Sequence, residues 1–148
     1  MKRLEETELR VLVLAPVGRD ASLVGETLHE AGIECQVCPD LVALRVEMQE
    51  GAGAILVTED LLRAEAVAEL GELFAGQLPW SDLPLLIFSA GRETQNGPLE
   101  ELKKLAPYTL IDRPTRKKTL ISAVQTALRA RRRQYEVRDL LIELEKSV

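Results

Sequence analysis

Apolar residues along this chain fall into two alternating textures: short continuous runs, and longer stretches in which they recur every three or four positions. Residues 11–15 (VLVLA), 54–57 (AILV) and 85–88 (LLIF) are continuous runs, as expected of strands buried on both faces of a parallel sheet. Residues 33–37 and 108–111 are shorter and more mixed, and read as two further strands. Between them lie stretches of helical period. Asp20 is placed to cap a helix over 21–31, with Leu23, Val24, Thr27 and Leu28 inward and Gly32 as its stop. Pro39 and Asp40 start a second helix carrying Leu41, Leu44, Val46 and Met48, which ends at Gly51-Ala52-Gly53. Asp60 opens a third, with Leu62, Val67, Leu70, Leu73 and Phe74. Pro98 suits a first helical position, ahead of Leu99, Leu102 and Leu105. A fifth helix runs from about Arg116 to the end of the chain.

Five strands, each followed by a helix, require parallel crossovers, which are right-handed almost without exception. The predicted fold is α/β: a three-layer (βα)5 sandwich, doubly wound around a five-stranded parallel sheet, with an extended C-terminal helix. At 148 residues the chain fits one such core. No apolar run approaches the ~18 residues of a membrane span, and the charged first ten residues hold no signal-peptide core, so the chain is expected in the cytoplasm without membrane insertion. A net charge of −5 argues against general nucleic-acid binding.

Cys35 and Cys38 form a C-x-x-C. With His29 the only histidine and no other cysteine, the roughly four ligands of a zinc site are missing. Residues three apart on a strand face opposite ways, which disfavours a disulfide. Two ordinary strand thiols are expected, and no metal or cofactor.

In an open parallel sheet, ligands bind beyond the carboxyl ends of the strands, where the strand order reverses. Pro16-Val17-Gly18 follow the first strand there, Thr58-Glu59-Asp60 the third, Ser89-Ala90 the fourth and Asp112-Arg113-Pro114 the fifth. With these elements, residues 10–130 resemble the receiver domains of two-component signalling, whose fold is flavodoxin-like. That resemblance places the family's acidic pair on Ala15 and Pro16, and its phospho-acceptor aspartate on Thr58. Ser89-Ala90 matches the family's Thr/Ser-Ala pair, and Arg113-Pro114 stands in for Lys-Pro. The outline of the pocket survives and its three carboxylates do not. Phosphoryl transfer needs Mg²⁺ held by oxygen ligands. Ala15 has no side-chain oxygen, and Thr58 would need a base to act as nucleophile. Glu59 or Asp60 would be the alternative acceptor, and Arg113 can pair with either or with Asp112. No catalytic residue is expected. A flavin or nucleotide site is disfavoured too, because 16–20 holds one glycine and an acid, a poor phosphate cradle.

The segments 78–84 (LPWSDLP), 113–114 and 127–135 (ALRARRRQY) further resemble the N-terminal receiver-like part of bacterial hybrid sensor histidine kinases, which precedes PAS and kinase modules. The resemblance implies a pseudo-receiver working through protein contacts, in a phosphorelay protein whose kinase activity lies elsewhere.

A receiver's last helix would end near residue 130. Here Ala127, Ala130, Gln134, Val137, Leu141, Leu144 and Val148 continue at intervals of three and four, a seam of about three heptads. The division expected is a receiver-like domain over 1–130 and a helical extension over 131–148, reaching roughly 25 Å past the core. The extension would dimerise or connect to a downstream module. Arg129, Arg131, Arg132 and Arg133 read as a solvated face, able to pair with Glu136, Asp139, Glu143 and Glu145.

Overall fold

The computed structural model describes residues 6–15, 19–89, 97–112 and 116–148. Its five strands are β1 (Val11–Leu14), β2 (Cys35–Cys38), β3 (Ala54–Thr58), β4 (Leu85–Ser89) and β5 (Thr109–Asp112). All neighbouring strands pair in parallel, in the order β2-β1-β3-β4-β5. The helices are α1 (Arg19–Glu30), α2 (Leu41–Glu50), α3 (Ala64–Ala75), α4 (Gly97–Leu105) and α5 (Lys117–Lys146). The predicted (βα)5 sandwich is the observed one.

Strand alternation divides the apolar runs between two cores. Leu12, Leu14, Ile55, Val57, Leu85 and Ile87 face α2, α3 and α4, where Leu44, Val67, Leu70, Phe74 and Leu102 meet them. Val11, Val13, Ala54, Leu56, Leu86 and Phe88 face α1 and α5, against Ala21, Leu28, Leu120, Val124 and Ala127. Double-sided burial is why β1, β3 and β4 are apolar at consecutive positions.

Several boundaries differ from the sequence reading. The third helix begins at Ala64, not at Asp60, because Glu59–Leu61 form a 3-10 turn closed by the Leu62 N–H on the Glu59 carbonyl at 2.9 Å. That turn buries Leu62 ahead of the helix. Helix α1 begins at Arg19, so Asp20 lies inside it. Leu23 is turned to solvent, since Ala21, Val24 and Leu28 hold the inward stripe, and Val46 is likewise exposed on α2. Asp40 does cap α2, accepting from the Ala43 N–H at 2.8 Å. Gly51, at φ 118°, ends that helix in a conformation that other residues rarely adopt.

Cys35 and Cys38 are free thiols on opposite faces of β2, Cys38 in the α2–α4 core and Cys35 against the α1/α5 core. Burial first, then the neighbouring Cys38 and Glu34, pushes the Cys35 thiol up to about 11.

The expected division at residue 130 does not mark where packing ends. Helix α5 is unbroken for 30 residues. Beyond 130, Arg131 and Tyr135 are still buried, at 6% and 2% exposure.

Candidate functional site

The strand order reverses at β1, which lies between β2 and β3. Leu14 pairs with Val57, so Ala15 and Thr58 follow side by side at the carboxyl ends of the two central strands. Ala15 is buried and its N–H donates to the Cys38 carbonyl at 3.2 Å. Thr58, the last residue of β3, is also buried, and its Oγ1 has no hydrogen-bond partner among the described residues. An unpaired buried hydroxyl carries a desolvation cost of about 1–3 kcal/mol. Ser89 is buried at the end of β4, paired in register with Asp112 of β5. Glu59 is buried in the 3-10 turn, and Asp60 beside it is exposed. The Tyr108 phenol, held near the Leu99 carbonyl at 3.5 Å, is pushed up by burial and then by the charges of Glu100 and Glu59. Thus Ala15, Thr58, Glu59 and Ser89 meet at one end of the sheet. Pro16, Arg113 and the neighbouring Gly18, Ala90 and Pro114 lie outside the described residues.

The resemblance to receiver domains implies Mg²⁺ at this end of the sheet. Magnesium is held by carboxylates and other oxygens in a tight octahedron. The β1 end offers a methyl group at Ala15, and the β3 end a neutral hydroxyl. Among the described residues, no three His, Cys, Asp or Glu side chains come together to hold a metal. The described residues do not fit the ion.

The amino end of the sheet carries a second constellation, which sequence reasoning missed. The Arg131 guanidinium donates from Nε to the Ala52 carbonyl at 3.0 Å, and from one terminal nitrogen to Ser81 Oγ and Gln134 Oε1, both at 2.7 Å. The Tyr135 hydroxyl donates to the same Ala52 carbonyl at 2.8 Å. Arg131 lies 4.5 Å from the Tyr135 ring centroid and 5.4 Å from that of Trp80; Arg138 lies 4.6 and 5.6 Å from the same two rings. Arg138 also pairs with Glu8, and with Asp139 at 3.0 Å. Gln134 is bound to the backbone of Asp82 through both of its amide atoms, at 2.7 and 2.8 Å. Arg131 is thus not part of a solvated face. Burial lowers its pKa, partly offset by Tyr135.

A sequence signal for this clasp exists. The inward stripe of α5, Leu120-Val124-Ala127, continues at helical spacing onto Arg131, Tyr135 and Arg138. The charges conceal the continuation, because a planar guanidinium between aromatic rings is buried where an apolar side chain is expected. Of the proposed seam, Ala127 is buried on the body of the domain and Gln134 is tied to Asp82. Ala130, Val137, Leu141 and Leu144 are exposed.

Scans against protein-family models and against curated proteins find no match. Solved structures do match. NtrX from Brucella abortus superposes with a TM-score of 0.67 at 22% identity, over 89% of this chain and 28% of that one. A CheY-like receiver domain from Methanospirillum hungatei JF-1 gives 0.68 at 13% identity, over 84% of this chain and 98% of that one. The receiver domain of the Francisella response regulator 1452 gives 0.64 at 18%, over 81% and 96%. The fold is that of response-regulator receiver domains. This chain spans nearly all of a single receiver but 28% of the NtrX chain.

Proposed function

We propose that this chain is a pseudo-receiver of two-component signalling that acts through phosphorylation-independent protein contacts. The observation that carries the reading is the pair at the carboxyl ends of β1 and β3: Ala15 where a metal ligand would be needed, and Thr58 as a buried neutral hydroxyl with no partner among the described residues. A group meant to attack phosphorus needs a metal to neutralise the transferring charge, or a base to take its proton. Ala15 offers such a metal no oxygen ligand, and neither Ala15 nor Thr58 is itself a base.

The output of such a module lies on its surface. Leu105 and Leu110 are about half exposed on α4 and β5, and the end of α5 carries Val137 and Leu141 in the same state, with Leu140 and Leu144 more exposed still. This favours docking through α4, β5 and α5, with homodimerisation or coupling to a downstream PAS or kinase module. The parent would then be a cytoplasmic sensor histidine kinase whose phosphoryl chemistry belongs to other segments.

A direct test is incubation with acetyl phosphate and Mg²⁺, followed by intact-mass measurement. The expected spectrum shows the unmodified mass alone. An adduct of one phosphoryl group on Glu59 or Asp60 would instead establish an unconventional acceptor.

A further inference from the structure

Two features of α5 face the same way and remain uncovered. A groove of about 750 Å³ runs between the body of the domain, at residues 82–86 and 107–109, and the first half of the helix. Between Lys118 and Gln134 at its two ends, its helical wall is made of short side chains, among them Ala123, Thr126 and Ala130. Farther along, Val137, Leu141 and Leu144 stand out as an apolar ridge, 47%, 48% and 67% exposed. At 3.6 residues per turn, groove wall and ridge share one stripe, about a third of a turn from the stripe that holds Arg131 and Tyr135 to the body. The groove wall over 119–130 and the ridge over 137–148 each span about 16 Å at 1.5 Å per residue.

We infer that the occupant of the groove is the ridge of a second copy of this chain, laid antiparallel, so that each α5 tail covers its partner's groove about one twofold axis. The inference rests on the contact-module reading above and specifies its partner and geometry. A twofold interface must be self-complementary, and this helix is. An axis near residues 133–134 sets Ala130 opposite Val137, Thr126 opposite Leu141 and Ala123 opposite Leu144, a short side chain against a long one in each layer. Basic and acidic residues on the flank of the stripe lie on opposite sides of the same point. Arg129 and Arg133 precede it, and Glu136 and Glu143 follow it. The antiparallel alignment brings Arg129 and Arg133 each within two residues of the level of Glu136 of the second copy, about 3 Å along the axis. A parallel alignment would stack each ridge on its own counterpart and leave both grooves empty.

Cysteine cross-linking reads the register. In a background with Cys35→Ala and Cys38→Ala, one preparation carries Thr126→Cys and another, distinguished by a tag, carries Leu141→Cys. Thr126 and Leu141 are both exposed, so the two new cysteines leave the core unchanged. Mixing and oxidising them should give a disulfide-linked species containing one of each chain, while either alone stays uncross-linked. In the antiparallel register two copies of the same position lie about 22 Å apart, beyond the roughly 7 Å Cα reach of a disulfide. Cross-linking of the Leu141→Cys chain alone would show a parallel arrangement and overturn the inference. So would a purely monomeric unmodified chain in light scattering at high concentration. Neither result bears on the inert pocket, which the acetyl phosphate experiment addresses separately.

Discussion

The hydroxyl of Tyr135 donates to the carbonyl oxygen of Ala52, joining the last helix to the residue that leads into the central strand β3. The same oxygen accepts from Arg131, so two consecutive inward positions of α5 converge on one acceptor. Tyr135→Phe keeps the ring against Trp80 and removes one donor. The expected cost is about 0.5–1.5 kcal/mol, since Arg131 still satisfies the carbonyl. Tyr135→Ala also removes the ring and should cost about 3–5 kcal/mol. Urea unfolding of the two variants checks both magnitudes.

Arg131 makes three hydrogen bonds from a fixed planar fork between two aromatic rings. Lysine keeps the charge and loses the fork, so Arg131→Lys should destabilise by about 1.5–3 kcal/mol. Replacing the exposed neighbour Arg132 by lysine should change stability by no more than about 0.5 kcal/mol. Denaturation midpoints of the two variants compare a buried arginine with a solvated one on the same helix.

Two glycines make close approaches of different kinds. A Cβ at Gly53 would lie 2.4 Å from Leu128 Cδ2 and 2.8 Å from the backbone carbonyl carbon of Leu9, so backbone must move. Gly53→Ala should cost about 1–3 kcal/mol. At Gly71 the obstacle is Leu105 Cδ1 at 2.5 Å, the tip of a half-exposed side chain that can swing away. Alanine there also gains up to about 1 kcal/mol of helix propensity, so Gly71→Ala should be close to neutral. Thermal unfolding of both variants tests the contrast.

Cys35 supplies a pH dependence with a definite sign. The fold raises its thiol from 9.0 to about 11 and thereby favours the protonated form. Above pH 9 the unfolded chain releases that proton first, so folded stability falls as pH climbs from 9 toward 11. Below pH 9 both states hold the proton and the contribution is flat. Melting temperatures between pH 8 and 10 should therefore drop less steeply for Cys35→Ala than for the unmodified chain.

The fold was largely legible because double-sided burial writes itself as continuous apolar runs, and β1, β3 and β4 are such runs. Boundaries were less so. The turn at Glu59–Leu61 looks like the start of a helix, since Leu62 is apolar and Asp60 is a good cap, and only the packing of Leu62 shows that α3 starts later. At the candidate site, the positions of Ala15, Thr58 and Ser89 followed from strand ends. The burial of Glu59 did not, because residues adjacent on a strand are expected to face apart and the 3-10 turn breaks that alternation. The clasp of Arg131, Tyr135 and Trp80 was hidden for a chemical reason: its spacing is that of a core stripe, but its residue types are those of a surface.

The account stands or falls on whether the carboxyl end of the sheet accepts a phosphoryl mimic. Backbone amide NMR shifts recorded during titration with Mg²⁺ and beryllofluoride test this most directly. An inert pocket predicts no saturable change at Thr58, Glu59 or Ser89, and none transmitted to α5. Saturable shifts centred on Thr58 and Ser89 would contradict it and show a working phosphoryl-acceptor site.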